Sequence, residues 1–212
     1  MRDWLAELPP LWRWVLLAGG GLLVALFLGL AVSFVLQQRE ASARRAFAGL
    51  TASYQQALTG GEEPRLAEVA KSLGAFLKDH PRSRSAPQGW YLLGNIEYRR
   101  GSYDAALAAF GEAARRDGGS VGALSRLGAG YAWEAKSEPA RALEAYQGVL
   151  QGRGPKDFLF GEALLAVARS QEQLKQSDAA IASYRRFLKE APDSPRAEEA
   201  RARLAVLGAA AA

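Results

Sequence analysis

From Trp14 to Leu36 the chain runs for 23 residues without a charged side chain, and only Ser33 in that stretch is polar. At about 1.5 Å per residue such a helix measures roughly 34 Å, enough to cross the ~30 Å hydrocarbon core of a bilayer with modest tilt. Trp12 and Arg13 at one end and Gln37, Gln38 and Arg39 at the other have the amphipathic character of interfacial anchors. The pattern therefore predicts a short tail over 1–13 and a single transmembrane helix over 14–36. No proline interrupts the chain between Leu11 and Thr59, so the helix is expected to run on through Ala43–Leu58 and to stop at Gly60-Gly61. Beyond it the apolar positions turn periodic, as in Leu66, Val69, Ala70, Leu73, Phe76 and Leu77, which is helical spacing. Breakers recur at Pro81, Pro87, Gly101, Gly118-Gly119, Pro139, Gly154-Pro155 and Pro192, at intervals that fit pairs of helices. Ser102, Ser120 and Ser177 are the expected N-caps, with Asp104 and Asp178 placing negative charge in the first turn.

Self-similarity sharpens this helical pattern into a repeat. Trp90, Leu93, Gly94, Gly101, Ala106, Phe110 and Ala113 match the 34-residue tetratricopeptide pattern. A second copy starts near Val121 with Leu124, Leu127, Gly128 and Tyr131, then Ala142 and Tyr146 after about two inserted residues. A third starts near Gly161 with Leu164, Val167 and Ala168, then Ala180, Tyr184 and Pro192. Small residues at Gly94, Gly128 and Ala168 let the first helix of each pair approach the second, while Phe110, Tyr146 and Tyr184 fill the space toward the next pair. Each pair leaves an apolar face that only a neighbour covers, so the pairs stack. The expected fold is all-α: one transmembrane helix, a degenerate helix pair over 37–80, three repeats over 81–194, and a polar-faced capping helix with an Ala-rich tail over 195–212. Glu198, Glu199, Arg201 and Arg203 are expected to keep that cap soluble.

Composition removes several chemistries. The chain has 212 residues, no Cys and one His, so disulfide scaffolds and thiolate metal sites are excluded. Forty-two alanines, about a fifth of the chain, fit closely packed helices rather than sheets. The net charge of +5 is spread among acids, as where Arg115 and Arg116 stand beside Glu112 and Asp117, which argues against a nucleic-acid stripe. His80 precedes Pro81 at a helix end, no phosphate-binding loop occurs, and Glu62-Glu63 and Glu198-Glu199 lack metal-binding neighbours. No enzyme activity, cofactor or metal is expected.

The leader reading of the N-terminus competes with the anchor reading, because Ala41-Ser42-Ala43 has the form of a cleavage site. The long apolar run, Asp3 and Glu7 before it, and the distance of the site from the apolar end favour an anchor. Arg2 and Arg13 precede the span and Arg39, Arg44 and Arg45 follow it, so the positive-inside count leans by one residue toward a cytoplasmic C-terminal part. Gly21, Ala25 and Gly29 share one face of the span and would admit a second helix, from a partner or from a second copy of this chain.

The order of parts, with Ser42-Ala43-Arg44-Arg45-Ala46 and Ser53-Tyr54-Gln55-Gln56-Ala57 after the apolar run, resembles the ancillary SecYEG translocon subunit family of bacteria. The segments "FLKDHPRSRSAPQGWYLLGNIEYRRGSYDAALAAF" and "YRRFLKEAPDSPRAEEARARL" are similar to the periplasmic cell division coordinator group. The first resemblance implies an inner-membrane anchor with a cytoplasmic N-terminus and a periplasmic repeat domain beside the Sec translocon and periplasmic chaperones. The alternative is an envelope scaffold for division, peptidoglycan synthesis or outer-membrane assembly, and a third reading reverses the topology. In repeats of this kind the binding groove falls on positions 2, 5, 9, 12 and 13 of each first helix, here Gln88, Tyr91, Asn95, Tyr98 and Arg99. The same register adds Ser125 and Trp133, with Arg126 adjacent, and then Arg169 and Glu172. Tyr, Trp and Arg dominate protein-binding hot spots, so this set is the expected peptide groove. Tyr98 and Trp133 read equally well as partly packed core residues.

Overall fold

The computed structural model describes residues 9–60 and 63–210, with the backbone alone for 10–18. The tail residues Arg2, Asp3 and Glu7, the side chains of Trp12, Arg13 and Trp14, and Gly61 lie outside the described residues. Among the described residues every regular element is an α-helix: α1 (Pro10–Gly60), α2 (Glu63–Asp79), α3 (Ala86–Arg99), α4 (Tyr103–Arg116), α5 (Ser120–Ala135), α6 (Pro139–Leu150), α7 (Phe160–Gln173), α8 (Ser177–Glu190) and α9 (Ala197–Val206). The chain divides into two units, 1–46 and 47–212.

In the first unit α1 is already helical at Pro10, earlier than the apolar run begins. From Gly19 to Arg39 its side chains are exposed, including Leu22, Phe27 and Phe34. It is long and apolar enough to cross a membrane.

In the second unit the helices α2 to α9 pack in sequence, each on the next, and α3 also touches α5, while the last turns of α1 share a core with α2 and α3. Each core joins the two helices of one pair to the helix that follows. One joins Tyr54 and Ala57 of α1 to Leu66, Val69 and Leu73 of α2 and Ile96 of α3. A second joins Leu127 of α5 to Tyr146 and Val149 of α6 and Ala163 and Val167 of α7. A third joins Leu164 and Ala168 of α7 to Tyr184 and Phe187 of α8 and Ala200 and Leu204 of α9. The pairing of α1 with α2 thus occupies the place of the expected degenerate pair, and α9 covers the last core.

The close approach of helices depends on missing Cβ atoms. A Cβ on Gly94 would stand 2.5 Å from the Phe110 ring, and one on Gly128 would stand 2.6 Å from the same ring, so Phe110 is lodged between α3 and α5. A Cβ on Gly130 would meet the Tyr146 ring at 2.2 Å. Both rings are almost wholly buried. Burial of one such ring contributes about 1.5–3 kcal/mol.

The C-terminal ends of α3, α5, α7 and α9 repeat one backbone device. Gly101, Ser137, Lys175 and Gly208 all have positive φ, between 59° and 74°. In each case the next residue donates its amide five residues back: Ser102 to Glu97, Glu138 to Trp133, Gln176 to Gln171 and Ala209 to Leu204, at 2.9 Å. This is the Schellman closure, which satisfies carbonyls left open at a helix end. The two extra residues of the second repeat, expected around Lys136–Pro139, instead lengthen α5 to 16 residues against 14 in α3 and α7, and the turn that follows is no longer than the others.

The caps differ from the expectation at two of three sites. Ser102 is an N-cap position, but Ser120 and Ser177 are the first residues inside α5 and α8, which start from Gly119 and Gln176, and none of the three makes a side-chain cap bond. The Asp117 carboxylate instead accepts from the Gly122 amide at 2.9 Å. Gly122 is required there because a Cβ would fall 1.8 Å from the Asp117 carbonyl oxygen.

Gly130→Ala is expected to lower the unfolding free energy by about 1–3 kcal/mol through overpacking against Tyr146. Gly74→Ala, in the interior of α2 with open space where its Cβ would go, is expected to gain about 0.5–1 kcal/mol. Urea titration of the two variants in detergent, followed by far-UV circular dichroism, checks the opposite signs.

Candidate functional site

The residues expected on the groove separate into three environments. On α3, Gln88 and Arg99 are exposed, while Tyr91, Asn95 and Tyr98 are half-buried. Tyr91 leans its ring toward the core, 6.1 Å from Phe110, and the Tyr98 ring lies 5.6 Å from Tyr103 at the start of α4. Both aromatics thus combine a packed edge with an open one. Among the described residues Gln88, Asn95 and Arg99 make no side-chain hydrogen bond or ion pair. Tyr54 of α1 belongs to this face and was not expected there. Burial raises its hydroxyl pKa, the Arg99 charge opposes that shift, and Tyr91 adds to it.

Arg169 and Glu172 line a cleft with Glu199 and Arg203 and are ion-paired within it. They belong to a network of ion pairs joining α7 to α9 and its approach. Arg196 donates to both oxygens of Glu162 at 2.7 and 2.6 Å, and to Glu199 at 2.8 Å. The Tyr131 hydroxyl of α5 donates to Glu162 at 2.7 Å. Arg169 stands 3.9 Å from Glu162 and 3.5 Å from Glu199. Arg203 pairs with Glu172, which also accepts from the Tyr184 hydroxyl at 3.0 Å. Burial raises the Glu162 pKa, but hydrogen bonds from Arg196 and Tyr131 and the charges of Arg196 and Arg169 outweigh it, so the carboxyl is held below its ordinary value. Tyr131 moves upward through burial and its bond to that carboxylate.

Glu162 and Arg196 lie 34 positions apart, one repeat length. The repeat register therefore contained this pair. It assigned Glu199 and Arg203 only to keeping a cap soluble, whereas both are spent on α7. Arg201 and Glu198 do form the exposed pair expected of a solvated surface.

The α5 residues take a third environment. Ser125 is fully buried and donates to the Val121 carbonyl at 2.8 Å, so it is not a groove residue. A mid-helix serine satisfies itself on the preceding turn when its neighbours are apolar. Arg126 and Trp133 line a cleft shared with α6. Trp133 carries the Arg141 guanidinium 4.6 Å from its ring centre, and Lys136 at 5.3 Å.

His80 ends α2, with its amide donating to the Phe76 carbonyl and its ring 5.2 Å from the Phe76 ring. It serves the helix end. The described residues contain no group of three or more His, Asp or Glu side chains placed to hold a metal. In α1, a Cβ at Gly21 or Gly29 would meet nothing within 4 Å.

One tetratricopeptide-repeat family model matches residues 65–120 and 91–158, and another matches 162–194. The chain is a tetratricopeptide-repeat protein. Its fold resembles a crystal structure of a tetratricopeptide repeat protein from Parabacteroides merdae, with a TM-score of 0.63 at 20% identity over 77% of this chain and 60% of that one. It also resembles the apo form of RapI, with a TM-score of 0.61 at 13% identity over 82% of this chain and 50% of that one. The tetratricopeptide-repeat chain thus spans 60% of one structure and 50% of the other, and the likeness is one of fold. No curated protein gives a significant match. The fold supplies a non-catalytic module for protein–protein interaction.

Glu162→Gln is expected to lower the stability of the repeat domain by about 1–3 kcal/mol near neutral pH, through the loss of charge-assisted bonds to Arg196. The folded-state pKa of Glu162 lies below its ordinary 4.5, so its contribution is complete above that value and is lost as pH falls through the lower folded-state value. Urea midpoints of the two proteins should differ at pH 7 and converge in acid.

Proposed function

We propose that this tetratricopeptide-repeat protein is a single-pass adaptor of the bacterial inner membrane that receives protein segments on the α3 face. The carrying observation is that Gln88, Asn95 and Arg99 have no side-chain partner among the described residues, while Tyr91 and Tyr98 beside them keep an open edge. An extended segment offers backbone donors and acceptors to Gln88 and Asn95, a carbonyl or carboxylate to Arg99, and apolar side chains to the two tyrosines. Residues 14–36 of α1 form the anchor, with the N-terminus cytoplasmic and the repeat domain periplasmic. Gly21, Ala25 and Gly29 form the stripe on which a second membrane helix docks, from a partner or from a second copy of the chain.

The partners proposed are the Sec translocon and periplasmic chaperones or emerging chains. Support comes from the order of parts and from the "SARRAFAGLTASYQQAL" stretch that follows the apolar run. A long C-terminal domain translocates largely regardless of flanking charge, which removes the weight of the one-residue arginine excess after the span.

A photo-crosslinking residue at Tyr98 or Arg99 should capture translocon subunits or periplasmic chaperones in cells. Capture of cell-wall or division proteins would transfer the adaptor to the envelope-scaffold role, and capture of nothing would remove the α3 face as a binding site. A reporter active only in the periplasm, fused after Ala212, should be active; an inactive but intact fusion would reverse the topology.

A further inference from the structure

Most arginines on α3 to α9 meet a carboxylate within the chain: Arg100 meets Glu97, Arg116 meets Glu112, Arg186 meets Glu190 and Arg203 meets Glu172. Arg126 and Arg141 meet none among the described residues. Both line the same cleft between α5 and α6, about 490 Å³ in volume, with Trp133 at one side and Ala145 and Gly148 forming part of its wall. Gly148 gives the cleft its depth on that wall, since a Cβ there would come within 3.3 Å of the Arg126 side chain. The sole acid on the lining is Glu144, which pairs with neither arginine.

The Arg141 guanidinium lies over the Trp133 ring, its carbon 4.6 Å from the ring centre. That cation–π contact spends none of the guanidinium in an ion pair, and its free N–H donors can present a fork to a carboxylate. Lys136, on the same ring, is already paired with Asp104 of α4, so it holds the indole without competing for an added anion. The result is two free cations beside an aromatic surface and a small-residue wall, on helices where most other arginines meet a carboxylate.

We infer that the α5–α6 cleft is a second docking site, distinct from the α3 face, for a protein segment in which an aspartate or glutamate stands next to an apolar residue. The carboxylate takes the edge donors of Arg141 and the Arg126 guanidinium, and the apolar side chain lies over Trp133 and Ala145. Charge complementarity selects this occupant. The inference rests on the adaptor role proposed above but uses other residues.

The test is a selection from a phage-displayed random-peptide library on the full chain in zwitterionic lipid nanodiscs, with selected peptides remeasured by fluorescence anisotropy. Peptides enriched in an acidic residue beside an apolar one are expected. Their affinity should fall at least about fivefold in Arg126→Glu and in Arg141→Glu. It should rise in Glu144→Gln, a gain that a folding defect cannot produce. Circular dichroism confirms that the variants are folded. Peptides without acidic enrichment, or affinities unchanged by all three substitutions, would overturn the second site. Binding lost in Asn95→Ala and Arg99→Glu but kept in the cleft variants would overturn it while leaving the adaptor role standing. A library that yields nothing above empty nanodiscs would overturn both.

Discussion

The repeat domain depends on aromatic rings seated against helix backbone that carries no Cβ. Phe110 lies where side chains on Gly94 and Gly128 would be, and Tyr146 lies where one on Gly130 would be. A ring seated this way fixes the distance between helices and the register of one helix along another, because any slide brings it against a neighbouring residue with a side chain. Since Phe110 touches both α3 and α5, the first repeat is tied to the second through one side chain. Contacts between consecutive pairs are the main source of stability in stacked repeats, and here one ring provides both the contact within a pair and the contact between pairs.

That geometry also decides which surface is left for binding. With the inward faces consumed by packing, the remaining side chains of α3, α5 and α7 divide by what the neighbouring helix offers them. Next to α9, Glu162, Arg169 and Glu172 find partners of opposite charge and close on themselves. On α3 the neighbour is α1, which brings Tyr54 rather than a carboxylate, so Arg99 keeps its charge uncompensated and Asn95 keeps its amide free. A binding face arises where the repeat presents polar groups and the adjacent helix fails to answer them.

The repeats were legible in the sequence because their signal is one of composition at fixed intervals: Gly94, Gly128, Ala106, Ala142 and Phe110 declare their roles by size and spacing. The apolar length of the first helix was legible for the same reason. Fates that depend on a partner elsewhere in the chain were not. Arg169 and Asn95 occupy the same repeat position, yet one is ion-paired and the other has no side-chain partner among the described residues, and the difference lies in residues that become neighbours only through stacking. Ser125 failed as a groove residue because its surroundings are apolar and its hydroxyl turns back to Val121. Ser120 and Ser177 failed as caps because those helices begin one residue earlier. The left-handed residues Ser137 and Lys175 carry no sequence signal at all, since their conformation is imposed by the closure bond rather than favoured by the side chain.

Compensated and uncompensated arginines differ in how far their charge reaches. Pairs such as Arg196 with Glu162 and Glu199 cancel at short range and contribute little beyond their own surroundings. Arg99, Arg126 and Arg141, on α3, α5 and α6, cast a potential that reaches out to about a Debye length, ~8 Å at physiological ionic strength. An acidic partner diffusing nearby is therefore turned toward these helices before it touches them, so that the pattern of internal ion pairs governs how fast, and in what orientation, a complex begins to form.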